Sequence, residues 1–282
     1  MTELGITGST GTVGGLVARE LAAAGLPLRL VVRDPSRAPE LPGASVRQAS
    51  YRDAAAVQAA LEGVEVALMV SAAESADRVD EHRTFIDAAV AAGVRHLVYT
   101  SFDAAAPDSL FTLGRDHWAT EEHLRSSGIS YTLLRDNFYS DFLPLMAVDG
   151  VIRGPAGDGR LAPVAQADVA AVAARVLQDP GAHVDATYQL TGPEALSLAE
   201  AAVVISAVTG DVVRYVEETL DEAYASRAGY GAPDWQVDAW VSTYTAIGSG
   251  VLARVSPDVP TLLGRPALSL ADVLRKARPA VL

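Results

Sequence analysis

Short, nearly continuous apolar runs alternate along the chain with longer stretches in which apolar residues return every three or four positions. The first kind reads as strands buried on both faces, and the second as helices that cover them. Strands are predicted at 3–7 (ELGIT), 27–33 (PLRLVVR), 43–50 (GASVRQAS), 64–72 (VEVALMVSA), 94–101 (VRHLVYTS) and 130–137 (SYTLLRDN). Helices are predicted between them at 14–25, 53–63, 78–93 and around 115–127, with Asp53 as the N-cap of the second. Alternation of this kind requires a parallel sheet with helices on both faces, so residues 1–140 are expected to form an α/β, Rossmann-like, doubly wound domain.

The pattern loosens after Tyr139. A Gly/Pro-rich turn region is expected at 153–160, then a helix at 167–181 N-capped by Asp168, a strand at 186–192 and a helix at 197–210 capped by Ser197. Residues 141–282 read as a smaller, interleaved substrate lobe. No repeat and no low-complexity linker marks a boundary.

Composition narrows the function. Half of the 282 residues are hydrophobic, enough for a sizeable core. Lys and Arg total 22 against 35 Asp and Glu, a formal charge of −13, which argues against nucleic acid or an anionic membrane as the main partner. A local basic pocket for a small anionic ligand stays compatible with this balance. The absence of cysteine removes disulfides and thiol chemistry. Without a basic region leading into an apolar segment, or a long apolar run, a cytoplasmic protein is expected.

The chemistry begins in GITGSTGTVGG at 5–15. Gly8, Gly11 and Gly14 lie between the first strand and the first helix, where such spacing supports dinucleotide binding. Gly8 is expected to make the tight turn, Gly11 to let the backbone approach a diphosphate, and Gly14 to let helix and strand pack closely. The helix N-terminus supplies unpaired N–H groups, and Thr10 and Thr12 add hydroxyls. The bland alternative is a tight turn that binds nothing. The second strand ends in VVRD, placing Arg33 before Asp34. A guanidinium forks onto a phosphate whereas a carboxylate repels one, so NADP(H) is favoured over NAD(H), with Arg37 closing the other side. Alternatively, Arg33 caps the sheet edge and Asp34 faces the ribose.

Together with VVRDPSRA, FIDAAVAAGVRHLVYTS and HWATEEHLRSSGISYTLLRDNFYSDF, the loop resembles the NmrA-like group of atypical short-chain dehydrogenases/reductases. Within that group it is most similar to the triphenylmethane reductase and type 2 NAD(P)H:quinone oxidoreductase subgroup. The resemblance covers nearly the whole chain, including GPAGDGRLAPVAQADVAAVAARVL and LLGRPALSLADVL. It implies NADPH and hydride delivery to a flat conjugated acceptor such as a quinone or dye. It assigns the phosphate loop to Gly8, Ser9, Thr10, Gly11, Thr12 and Val13, the 2′-phosphate contact to Arg33, and a cofactor-flanking segment to Ser71 and Ala72. One departure concerns adenine: Ser50 stands where the group often has an acidic residue.

Ordinary short-chain dehydrogenases use a Tyr-x-x-x-Lys pair, in which the lysine lowers the tyrosine pKa. Here Leu113 and His117 occupy those positions, so ordinary alcohol–ketone interconversion is not expected. His117 is a candidate to steady the cofactor or donate a proton. Asn137, Phe138 and Tyr139, at the end of a strand, are candidates for the wall of an acceptor pocket. His82 reads as structure-supporting, and His96 and His183 are given no role. The pairs Glu121–Glu122 and Glu217–Glu218 read as solvated helix faces. Two function classes stay open: a reductase of conjugated acceptors, and a non-catalytic NADP(H)-binding redox sensor of the NmrA type. A homodimer is compatible with either.

Overall fold

Near-continuous apolar runs do become buried strands. The computed structural model describes residues 3–277. The strands are β1 (Leu4–Thr7), β2 (Leu28–Val32), β3 (Ala44–Gln48), β4 (Val66–Met69), β5 (His96–Phe102), β6 (Ser130–Asp136), β7 (Val151–Gly154), β8 (Arg160–Leu161), β9 (Ala186–Leu190), β10 (Leu196–Ser197) and β11 (Arg214–Glu217). The helices are α1 (Thr12–Ala23), α2 (Ala54–Leu61), α3 (Arg78–Ala91), α4 (Thr112–Ser126), α5 (Gln166–Gln178), α6 (Leu198–Thr209), α7 (Leu220–Arg227), α8 (Asp234–Ser249), α9 (Asp258–Leu263) and α10 (Leu270–Ala277).

Seven strands form one sheet in the order β3-β2-β1-β4-β5-β6-β9. The pairings β1–β2, β1–β4, β2–β3 and β4–β5 are parallel. The expected Rossmann-like α/β fold is the one observed. The order reverses beside β1, and the register (Thr7 beside Val31, Ile6 beside Leu68) aligns the strands' C-terminal ends along one edge of the sheet. That edge is where ligands bind in open α/β sheets. Among the described residues, no helix is long and apolar enough to cross a membrane.

Two compact units divide the chain. The first runs through Phe102 and includes Asp116–Arg135 and Val169–Tyr188. Its core packs α2 and α3 side chains such as Val57, Leu61, Phe85 and Ile86 onto Met69, Leu97, Tyr99 and Leu133. The second comprises Asp103–Arg115, Asp136–Asp168 and the chain from Gln189, with Ile152, Leu161, Val164, Ile205 and Ile247 among its buried residues. Local capping follows the residues: the Asp53 carboxylate accepts from the Ala56 N–H, and Ser197 with Glu200 closes a capping box on α6.

Three expectations are corrected. The stretch 153–160 is not all turn, because β7 pairs in parallel with β11. Asp168 is not an N-cap: α5 starts at Gln166, placing Asp168 inside its first turn. Its fully buried carboxylate accepts from the Leu268 N–H at 2.6 Å and pairs with Arg265 at 2.7 Å. The acidic pairs are only half solvated. Glu122 and Glu217 are exposed, but Glu121 is 0% exposed and Glu218 is buried. Glu121 takes a two-pronged contact from Arg135 (2.8 and 2.6 Å), and Arg125 and the Ser101 hydroxyl bind it as well. Glu218 pairs with Arg227 at 3.0 Å. Buried carboxylates persist only when paired in this way.

Candidate cofactor site

The glycines of the first loop divide by what surrounds them. Gly8 turns the chain at φ +65°, and a Cβ there would stand 2.8 Å from the Val70 side chain. At Gly14 a Cβ would lie 2.5 Å from the carbonyl carbon and oxygen of Gly8 and 2.6 Å from the Thr7 oxygen. Both glycines therefore serve close packing of the chain on itself. Gly11 differs, since a Cβ there meets only the Gly8 oxygen, at an ordinary 3.4 Å. Its φ of −101° suits any residue. What its missing side chain leaves is open space above the backbone.

Gly11 is also the N-cap of α1. No side chain caps that helix and no acidic residue occupies its first turn, so the first amides keep their hydrogen-bonding capacity for an anion. Thr10 and Thr12 are exposed and Val13 is buried. The Ser9 hydroxyl is buried with no hydrogen-bond partner among the described residues. An open cradle, uncapped amides and an orphaned hydroxyl fit a diphosphate.

At the end of β2, Arg33, Asp34 and Arg37 are exposed. Asp34 Oδ1 accepts from the Ser36 N–H (3.0 Å) and the Ser36 hydroxyl (2.7 Å), capping the turn Pro35–Arg37. These bonds hold its carboxyl below the usual range. With Asp34 engaged by its own turn, the cations at Arg33 and Arg37 dominate this corner. The Gln48 amide donates to the Arg33 carbonyl at 3.0 Å and steadies that backbone. Ser50 is half-buried.

The chain beyond β4 passes Gly8 and enters a polar cluster. The Ser71 N–H donates to Thr100 Oγ1 at 2.8 Å, and the Ala72 N–H donates to His82 Nε2 at 2.9 Å. Arg78 Nε donates to the Ala72 carbonyl at 3.0 Å. An amide can only donate, so His82 Nε2 carries no proton and the ring hydrogen sits on Nδ1, facing Thr120 Oγ1 at 2.9 Å. Burial, with the charge of Arg78 adding to it, pushes the His82 pKa down to about 3.

His117 is settled in the same way. Arg78 Nη2 lies 3.1 Å from His117 Nε2, and Tyr99 Oη lies 3.0 Å from Nδ1. A guanidinium only donates, so Nε2 accepts and Nδ1–H points to Tyr99. Burial first, then Arg78, lowers the His117 pKa well below its ordinary value. The ring is neutral and both nitrogens are engaged by protein groups.

The first unit thus brings Gly8–Val13, Arg33 and Ser71–Ala72 to one edge of the sheet and ties His117 to the same segment through Arg78. Asn137 and Tyr139 belong to the second unit. Asn137 is 1% exposed; its amide donates to Asp103 Oδ2 and the Leu252 carbonyl, both at 3.0 Å, and accepts from the Phe138 N–H at 2.8 Å. The Tyr139 hydroxyl donates to Asp136 Oδ2, and its ring meets Phe142 edge-on. A separate cleft of about 660 Å³ in that unit, lined by Gly192, Pro193, Pro257 and Arg265 among others, holds none of the predicted site residues.

Residues 8–180 match the NAD(P)H-binding family. The chain belongs to that family. It is 36% identical to the NADPH-dependent quinone oxidoreductase of Escherichia coli, crystallised with NADPH, over 97% of this chain and 99% of that one, with a TM-score of 0.87. It is 36% identical to the NAD(P)H azoreductase of Xenophilus azovorans over 95% of each chain. The triphenylmethane reductase of Citrobacter sp., solved with NADP(H), is 30% identical over 98% of this chain and 100% of that one, with a TM-score of 0.86.

Arg78 and Tyr99 carry no expectation from the sequence, and Glu121 reads there as part of a solvated helix face although it is buried. A signal for two of them existed. Arg78 and His82 lie on the same stripe of α3 as Phe85, Ile86 and Ala89, and all are buried. Glu121 continues the α4 stripe Leu113–His117–Thr120–Leu124, again all buried. A charged residue on an apolar helical stripe marks a buried ion pair or a polar network more often than a solvated face.

Proposed function

We propose that this NAD(P)H-dependent oxidoreductase delivers hydride from NADPH to a conjugated, electrophilic acceptor of the quinone or dye kind, without a Tyr–Lys catalytic pair. NADPH supplies the hydride when bound. The amides and hydroxyls of Gly8–Val13 would hold the diphosphate, Arg33 and Arg37 the 2′-phosphate, and Ser71–Ala72 would flank the cofactor. Phe138 and Tyr139 are proposed as acceptor-binding residues whose rings stack on it, and Asn137, its amide saturated by protein groups, as the residue that holds this strand end in place.

The observation that carries this reading is His117. The α4 position where ordinary short-chain dehydrogenases keep lysine holds a neutral imidazole whose nitrogens are engaged by Arg78 and Tyr99. No charged acid stands ready there to polarise an unactivated ketone. An acceptor that takes hydride directly and is protonated by solvent does not need one. Stopped-flow oxidation of NADPH against a panel of small quinones and cationic dyes is the test, and turnover is expected. In the same assay His117→Ala is expected to slow turnover by less than the roughly 10²–10⁴-fold loss that follows removal of a general acid. Protein that binds NADPH but reduces nothing in the panel refutes the reductase and leaves the redox sensor.

A further inference from the structure

Residues 70–72 lie beyond the end of β4, yet side chains from several elements hold their backbone. The Val70 N–H donates to Thr7 Oγ1 at 2.9 Å, and the Val70 carbonyl accepts from the Tyr51 hydroxyl at 2.7 Å. Thr100 on β5 takes the Ser71 N–H, while His82 and Arg78 on α3 take the two sides of Ala72. Among the described residues, the Ser71 hydroxyl has no hydrogen-bond partner. A loop at a strand end needs none of this for stability, because water satisfies such groups as well.

The arrangement is also costly. Arg78 is 5% exposed, and its Nη1 is buried without a hydrogen-bond partner among the described residues; the nearest carboxylate oxygen, on Asp116, is 3.8 Å away. Burying a guanidinium so incompletely paired is unfavourable. The His82 ring is oriented from behind as well. Its Nδ1–H donates to Thr120 Oγ1, and the Thr120 hydroxyl donates to the Asp116 carbonyl at 2.7 Å. The donors run in one direction from Ala72 into α4, which allows a single ring orientation and a single tautomer.

We infer that His82 and Arg78 are positioning residues that fix the Ala72 peptide, and with it Ser71, in the setting that receives the cofactor. Neither side chain needs to touch the cofactor. Their contribution is preorganisation: a segment already held in its binding conformation loses less freedom when the ligand arrives. The inference rests on the proposed place of Ser71 and Ala72 beside NADPH.

Two substitutions separate positioning from plain support, applied to the full chain. His82→Gln keeps an acceptor at the reach of Nε2 for the Ala72 N–H, whereas His82→Asn keeps polar atoms only at the reach of Nδ1, toward Thr120. NADPH affinity is read by titrating the fluorescence of NADPH itself, with the thermal midpoint and the hydrogen exchange of the 70–72 amides measured on the same samples. His82→Asn is expected to weaken NADPH about tenfold and to speed exchange at Ala72, with the acceptor KM unchanged. His82→Gln is expected to stay within about threefold of wild type, although both variants lose stability. Equal affinities in the two variants overturn the inference while leaving the reductase reading intact. Wild-type protein that does not bind NADPH overturns both. If neither variant folds, Arg78→Lys, which still reaches the Ala72 carbonyl, and Arg78→Met, which cannot donate to it, decide by the same criterion.

Discussion

Substituting alanine at Gly14 and at Gly11 should produce opposite failures. In the middle of a helix, Gly→Ala ordinarily stabilises by about 1 kcal/mol, and Gly14 lies in the first turn of α1. The new Cβ, however, would sit 2.5 Å from two backbone atoms of Gly8 and 2.6 Å from the Thr7 oxygen, roughly 1 Å inside normal contact distance. None of these atoms can rotate away, so β1 and α1 must separate. Overpacking costs about 1–3 kcal/mol, and three immovable backbone contacts put this site at the upper end, so about 2 kcal/mol remains after the helical gain and the melting midpoint falls by about 4–8 °C. Gly11→Ala meets only one atom at 3.4 Å and requires no unusual φ. Its stability should stay within about 1 kcal/mol of wild type, the usual loss for a poorer N-cap, while NADPH affinity falls at least about tenfold because the methyl occupies the space for the diphosphate. Thermal melts paired with calorimetric titration of NADPH check both halves. A Gly14→Ala protein more stable than wild type would refute the packing assignment. A Gly11→Ala protein with undiminished affinity would refute the cradle.

Arg33→Ala should cost about 1.5–3 kcal/mol of NADPH binding and little of NADH binding, since a charged hydrogen-bond partner is lost for one cofactor only; equal losses by calorimetry would remove the 2′-phosphate assignment. Acid should destabilise the fold through its neutral histidines. The His82 pKa is about 3 in the folded chain against an ordinary 6.5, so the unfolded chain binds the proton first and stability falls as pH drops below about 6.5. From pH 7 to pH 5 this one group accounts for about 2 kcal/mol, and His96, also lowered by burial, acts in the same direction. Urea midpoints should therefore fall across that range and fall less in His82→Gln; identical slopes would show that His82 does not titrate on unfolding. Glu121→Ala leaves Arg135 without its two-pronged partner and should cost about 3 kcal/mol, measured by urea unfolding. A loss below 1 kcal/mol would mean that solvent replaces the carboxylate.

Features that depend on neighbours in the chain were legible in the sequence. Strand and helix alternation follows from which side chains must face away from water, a property of each segment's own period. Asp53 and Ser197 cap their helices because a short oxygen-bearing side chain reaches amides only three residues away. The tight turn at Gly8 and the close approach at Gly14 belong to one strand–turn–helix unit, and their spacing announces them. Asp168 shows where local reading stops. An aspartate ahead of an apolar helical run satisfies the rule for a cap, yet its carboxylate is taken by Arg265 and the Leu268 amide, which no neighbouring residue foretells. Glu121 reads as one of two surface acids until β6 delivers Arg135 to it. Arg78 and His82 lie on α3 and Thr100 on β5, and their shared engagement with residues 71–72 exists only once the sheet has set its strand order. Periodicity specifies which face of an element is buried. Which remote polar group meets it there depends on how those faces pack, because a hydrogen bond is decided within a few tenths of an ångström and only the assembled core holds distant side chains to that tolerance.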